Sequence, residues 1–307
     1  MNDYLLSLLL GIVEGSTEYL PVSSTAHLRI AESLLHVSLS DGYWKMYTIV
    51  IQLGAILCLP VYFWRRISQL IGYQRGNTPL VLVPFKILKC LSLSVFRSRP
   101  IQFTLIAFVV TSIPSFLLTK VIGKNLENLY VMGASLLIGG IVMWVVDAMK
   151  APSEKAGPLA PGSTIHTWQM EDMSLGQAIW IGACQILSAV FPGTSRSMST
   201  IAAGQLARMS RASALEFSFF LSIPTMAVAT GYTLLKSLRG KGENPIGVSD
   251  ITSQQWVILG IGFVVSFLVA YGSVAWFMAW VRKRGFAPFA VYRIVVGIAV
   301  LAWAVRL

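Results

Sequence analysis

The chain has 307 residues, 55% of them hydrophobic and 12% charged, with a formal charge of +11 and a mean hydropathy of +0.68. Soluble domains carry about a quarter charged residues, so this composition excludes an ordinary soluble domain and points to an integral membrane protein. The positive charge does not indicate nucleic acid, because the basic residues flank apolar runs instead of forming a stripe interleaved with aromatics.

In chain order, the first apolar run is YLLSLLLGIV at 4 to 13. It lacks a basic flank and a small-residue cleavage site, so it is expected to be kept rather than removed as a signal peptide. It runs directly into EGSTEYLPVSSTAHL at 14 to 28, which places two carboxylates, three consecutive hydroxyls and a histidine around Pro21. Crossing about 30 Å of hydrocarbon takes about 20 mostly apolar residues. Six stretches come near that: 45 to 64, 101 to 119, 130 to 147, 214 to 235, 256 to 280 and 287 to 305. The runs at 4 to 13 and 175 to 191 are too short or too polar to cross alone, and each breaks at a proline followed by hydroxyl residues. Both are predicted to be re-entrant.

Segment 65 to 100 carries Arg65, Arg66, Arg75, Lys86, Lys89, Arg97 and Arg99 without an acidic residue, and RKR stands at 282 to 284. The positive-inside rule places both in the cytoplasm, together with the 148 to 174 loop. The N-terminus, the 120 to 129 and 236 to 255 loops and the C-terminus then lie outside. Cys58, Cys90 and Cys184 show no metal or redox spacing and read as small hydrophobes.

The chain also repeats itself. GIVEGSTEYLPVSST from Gly11 aligns with GACQILSAVFPGTSR from Gly182, matching Gly to Gly, Glu14 to Gln185, Pro21 to Pro192 and Ser24 to Ser195. The predicted fold is an all-α integral membrane protein with an inverted-topology repeat, each half a re-entrant helix hairpin plus three transmembrane helices. Residues 1 to 150 form the first half, 151 to 173 a cytoplasmic connector and 174 to 307 the second half. The two polar loops are expected to meet inside the bilayer.

Glu14 and Glu18 stand one helical turn apart on one face, a pair that shares a proton or binds a cation. Ionisable groups inside a membrane are costly and usually functional. The run Ser23, Ser24, Thr25, Ala26, His27 offers an anion nest and an imidazole, and its hydroxyls also suit capping of a following helix. Arg196, among Thr194, Ser195 and Ser197, suits a phosphate group or an ion pair to Glu14 or Glu18. Gln52 is the one strong hydrogen-bonding side chain within its span, placed either to face the site as a substrate contact or to pack between helices. His36 and His166 read as solvated, and Arg293 as a snorkelling residue.

Taken together, GIVEGSTEYLPVSSTAHL, PGTSRS and YRIVVGI, the last at 292 to 298, resemble the undecaprenyl-diphosphate phosphatase family linked to bacitracin resistance. The resemblance covers nearly the whole chain. It implies hydrolysis of undecaprenyl diphosphate at the outer face of a bacterial plasma membrane, dependence on Mg2+ or Ca2+, and a homodimer as one assembly. It assigns functional roles to Glu14, Glu18, Ser24, His27 and Arg196, with Thr25, Ser195 and their neighbours as phosphate contacts and the glutamates as metal ligands. Ser24 with His27 as base, His27 itself, or water activated by Glu18 or the metal are the routes to attack. The family usually has glycine where this chain has Ala26 and Met198. The competing reading is a polyprenyl-phosphate transporter or flippase, because alternating access uses the same inverted architecture.

Overall fold

The computed structural model describes residues 2–37, 42–72, 98–118, 128–158, 161, 163–238 and 251–306. Cys90, four of the basic residues (Arg75, Lys86, Lys89 and Arg97) and most of the 120 to 129 and 236 to 255 loops lie outside them. Among the described residues every regular element is a helix, and one isolated bridge joins Thr167 and Met209.

In chain order the helices are α1 (Asp3–Thr17), α2 (Ser24–Leu34), α3 (Gly42–Tyr62), the short α4 (Trp64–Leu70), α5 (Arg99–Leu117) and α6 (Leu129–Ala156). After a 3-10 turn at Met170–Asp172 come α7 (Leu175–Val190), α8 (Arg196–Leu206), α9 (Arg211–Leu238), α10 (Ser253–Arg284) and α11 (Ala287–Ala304). The six helices α3, α5, α6, α9, α10 and α11 are long and apolar enough to cross a membrane, and each covers one of the predicted spans. The helices α1, α2, α7 and α8 run 11 to 16 residues, short of the roughly 20 that a crossing needs.

Local sequence sets the helix starts. Asn2 accepts a hydrogen bond from the Tyr4 amide, and Ser174 with Gln177 and Thr252 with Gln255 form reciprocal capping boxes at α7 and α10. Few partners in a bilayer core can satisfy a side-chain hydroxyl, so those inside the bundle reach across to backbone carbonyls of neighbouring helices. Ser7 donates to the Ile258 carbonyl at 2.8 Å, Ser266 to that of Ile51 at 2.6 Å and Thr111 to that of Gly182 at 2.7 Å.

The main packing partners are α6 with α11, α1 and α3 with α10, α5 with α7 and α9, and α3 with α9. The largest core cluster includes Tyr19, Phe63, Phe217, Phe219, Phe277 and Phe286. The two aligned glycines of the repeat occupy equivalent close approaches. A Cβ on Gly11 would stand 3.0 Å from the Gly262 carbonyl oxygen, and one on Gly182 would stand 2.6 Å from that of Ala107. At both places a short helix touches the backbone of a long one, which a side chain would prevent.

Gly182→Val should therefore push α7 off α5 and lower stability by about 2 kcal/mol, the usual cost of overpacking. At Gly176 a Cβ meets nothing nearer than 3.9 Å, so Gly176→Ala should leave the thermal melt of the detergent-solubilised protein near wild type. Equal melts for Gly182→Val and wild type would contradict the close contact.

Candidate active site

Two short turns hold the polar residues. One joins α1 to α2 through Glu18–Ser23, and the other joins α7 to α8 through Phe191–Ser195. Each ends on a serine with left-handed backbone, Ser23 at φ 74° and Ser195 at φ 67°. Each of these serines caps the helix that follows, accepting from the Ala26 amide at 3.5 Å and the Met198 amide at 3.4 Å. A non-glycine residue in a sparsely populated region costs about 1–3 kcal/mol and persists only where its surroundings fix it.

The caps revise the register of the repeat. The chain needs two residues from Pro21 to its cap and three from Pro192 to Ser195, and the extra residue is absorbed at Gly193, φ 94°. Ser23 therefore corresponds to Ser195, and Ser24 to Arg196. The sequence alignment, held rigid through the prolines, paired Ser24 with Ser195.

The first turns of α2 and α8 share the wall of a cavity of about 390 Å³. Glu18, Ser24, Thr25, Gln52, Ser195 and Arg196 line it, with Ser23 at its edge. Glu18 is the hub: its Oε2 accepts from Ser24 Oγ at 2.5 Å, and its Oε1 accepts from Arg196 Nη2 at 3.4 Å. The other guanidinium nitrogen, Arg196 Nη1, is shielded and donates to no acceptor among the described residues. The guanidinium also lies 5.8 Å from the centre of the Tyr19 ring, which holds it in place. Gln52 Oε1 accepts from Thr230 at 3.3 Å and ties α3 to α9 across the opening.

Glu14 sits one turn before Glu18 and is completely buried. Among the described residues neither of its carboxylate oxygens has a hydrogen-bond partner, and the carboxylates of Glu18 and Glu32 are charged neighbours. It lines a second, smaller cavity of about 120 Å³ with Arg29 and Glu32, and Ser24, Thr25 and Gln52 form a wall common to both cavities. A buried carboxylate without donors is a poor end state for a membrane protein unless it is protonated or meets a cation. Among the described residues no group of three or more His, Cys, Asp or Glu gathers to hold a metal.

His27 lines neither cavity. Its Nδ1 lies 2.8 Å from the Ser23 carbonyl oxygen and its Nε2 2.6 Å from the Tyr292 hydroxyl, with the two rings stacked at 5.5 Å. Ser197 is fully buried, donates to the Leu20 carbonyl at 3.0 Å and meets Ser195 Oγ at 3.0 Å, which fastens one turn to the other. Thr194 faces an apolar groove on the far side of its loop. His36 and His166 are exposed, as expected.

Arg293 overturns its expected role. It is completely buried, where a snorkelling side chain would reach the interface. Its Nη1 donates to the Pro21 carbonyl at 3.0 Å, and its Nη2 lies within 3.2 Å of the Ser135, Gly193 and Thr194 carbonyl oxygens. One guanidinium thus holds both turns. The available signal was depth: Arg293 stands six residues into α11, about 9 Å along the axis, too far from the end for easy escape.

Removing one partner of a buried charged network typically costs about 3–5 kcal/mol. Arg293→Met should lower the thermal melt accordingly, with Arg293→Lys restoring part of the loss. Unchanged unfolding of Arg293→Met would mean that the turns are held by other contacts.

Residues 7–299 match the family model described as bacitracin resistance protein BacA. An undecaprenyl-diphosphatase of Koribacter versatilis is 60% identical over the full length of both chains. Others so named are similar too: that of Rhizobium leguminosarum is 38% identical over 98% of this chain and 97% of its own. That of Deinococcus radiodurans is 34% identical over 99% and 96%.

Proposed function

The chain belongs to the bacitracin resistance protein BacA family, and from that membership we propose that it is a membrane phosphatase hydrolysing undecaprenyl diphosphate to undecaprenyl phosphate and inorganic phosphate. The observation that carries the reading is the contact of Glu18 with Ser24 at 2.5 Å and with Arg196 at 3.4 Å, between the first turns of two helices, in one cavity. Helix N-termini and an unpaired guanidinium nitrogen favour a phosphate, and a hydroxyl on a carboxylate favours attack on it.

In this reading the architecture is an inverted repeat of two halves, 1–150 and 174–307, whose short helices are re-entrant. Exchanging the halves turns the α1–α10 packing into α7–α5 and α3–α10 into α9–α5, while α6–α11 and α3–α9 map onto themselves. The turn of each half then reaches the middle of the bilayer from its own side. Arg65, Arg66, Arg99, Lys155, Arg211 and the run Arg282–Arg284 cluster at the bundle end where α6 and α10 finish, which favours that end as cytoplasmic. The cavity extends the other way, along Thr225, Thr230 and Thr233 of α9, toward the outer face of the bacterial plasma membrane.

Chemically, Ser24 Oγ attacks the terminal phosphorus and Glu18 accepts its proton. The bond from that phosphorus to the bridging oxygen breaks and undecaprenyl phosphate leaves. Water then cleaves the Oγ–P bond and releases inorganic phosphate. Arg196 Nη1 and the α2 and α8 amides hold the phosphate oxygens, with Thr25 and Ser195 beside them. His27 supports Ser23 from behind and Tyr292 fixes the imidazole. A divalent cation, Mg2+ or Ca2+, fits at Glu14 and Glu18, because two carboxylates completed by phosphate oxygens is a usual Mg2+ arrangement. Bound there it would neutralise diphosphate charge. The isoprenoid chain leaves along the apolar wall of Ile49, Ala189, Met226 and Ala229.

Phosphate release from undecaprenyl diphosphate by the purified protein tests this. Arg196→Ala should lower turnover on the order of 100-fold or more, and Ser24→Ala and Glu18→Gln by about 100-fold to 10,000-fold. Chelation should abolish release, and added Mg2+ should restore it in wild type but not in Glu14→Gln. Near-normal turnover of Arg196→Ala would remove the phosphate clamp, and no release under any divalent cation would return the transporter reading to first place. For sidedness, a single cysteine at His36→Cys should be labelled from the outer face; labelling only from the cytoplasm would invert the topology.

A further inference from the structure

A third cavity, of about 570 Å³, lies at the opposite end of the bundle, where α6 ends, α9 begins and α10 turns into α11. Its wall carries Lys155, Arg282, Lys283 and Arg284, flanked by Trp144 and Trp168. It shares no residue with the two cavities of the candidate active site.

Its charge is not balanced from within. The lining carboxylates Asp147 and Glu154 are already engaged at the start of α9. Asp147 accepts from Arg211 Nε at 2.7 Å and from the Phe286 amide at 3.1 Å, and Glu154 accepts from the Arg211 amide. Lys155, Arg282 and Lys283 form no ion pair with a carboxylate among the described residues, and Arg284 lies 5.0 Å over the Trp280 ring. The indole N–H of Trp168 is shielded from solvent yet donates to nothing among the described residues. Its backbone is pinned at this wall, since the Trp168 carbonyl accepts from Ser210 Oγ at 3.3 Å. An indole N–H is a donor only, so Trp168 is left without an acceptor, and Lys155, Arg282 and Lys283 without a carboxylate, among the described residues.

Trp144 is about half exposed on the bundle surface one helical turn from Asp147, at the level where tryptophans of membrane proteins meet headgroups. A phosphate among the cations with acyl chains running past Trp144 would satisfy both surfaces. We propose that this cavity binds the phosphodiester headgroup of an anionic phospholipid, with Trp168 donating to a phosphate or glyceryl oxygen. The site does not depend on the phosphatase reading.

Native mass spectrometry of the full-length protein, released from detergent with added phosphatidylglycerol or phosphatidylcholine, tests it. Wild type should retain phosphatidylglycerol under activation that strips phosphatidylcholine. R282Q/K283Q/R284Q, a change of exposed side chains at a helix end, should weaken phosphatidylglycerol binding on the order of tenfold or more. Trp168→Phe should weaken it several-fold while keeping the ring. Soluble glycerol phosphate should not compete at equal concentration. Equal retention of the two lipids by wild type, or undiminished phosphatidylglycerol binding by the triple variant, would overturn the site; displacement by glycerol phosphate would reassign it to a free phosphate ester.

Discussion

The structure depends on a single buried cation. Where α1 gives way to α2 and α7 to α8, the chain leaves helical geometry in the middle of an apolar bundle, and the carbonyls of Pro21, Gly193 and Thr194 lose their place in a helix ladder. A buried carbonyl left without a donor costs several kcal/mol. Arg293 supplies the donors from α11, reaching one turn through Nη1 and the other through Nη2. A guanidinium suits the task because its donors fan out in a fixed plane and it stays charged when buried. Since the two turns share this one group, neither can shift without moving the other.

On that common support the two turns carry complementary chemistry. Ser24 and Arg196 occupy the same first position of their helices, so equivalent backbones present a hydroxyl on one side and a guanidinium on the other. The first short helix carries Glu14 and Glu18, where the second has Gln185 and Ala189. A symmetric pair of acidic turns would repel, and a symmetric pair of basic turns would lack a base; one of each attracts across the cavity through Glu18 and Arg196. Ala26 and Met198 also fall at one position, the third of each helix. Ala26 is buried against Met132, Leu136 and Val300, and the Met198 methyl approaches Gly139 beside Arg293. Neither lines the main cavity, so these departures from the family's usual glycine bear on how the turns are backed rather than on its polar wall.

Much of this was legible in the sequence for physical reasons. Hydrocarbon thickness fixes span length, so the six long helices could be read from apolar runs. The proline and hydroxyl breaks marked where the short helices end, and helical spacing put Glu14 and Glu18 on one face. Directions of approach were less accessible. His27 lies three residues from Ser24, yet the helix turns its ring toward Tyr292, a contact 265 residues away. Thr194 and Ser197 carry the hydroxyls expected of phosphate contacts, but one faces an apolar groove and the other is spent on the Leu20 carbonyl. The partners of Arg293 are all backbone carbonyls, which every residue possesses, so no pattern of side chains could reveal them.

The two adjoining cavities divide the charges in an informative way. Arg196 lines only the larger, Glu14 and Glu32 only the smaller, and the first turn of α2 stands between, with Ser24, Thr25 and Gln52 in both walls. Arg29 is held by Glu32 at 3.4 Å and Glu18 by Arg196 at 3.4 Å, so the charged groups left without a partner among the described residues are Arg196 Nη1 in the larger cavity and Glu14 in the smaller, on opposite sides of Ser24. Glu18 completes the partition: one turn from Glu14, it holds Ser24 through one oxygen and Arg196 through the other. The carboxylate that joins the two sides is also the one that accepts from the hydroxyl between them, so the contact across the cavity and the orientation of Ser24 come from the same side chain.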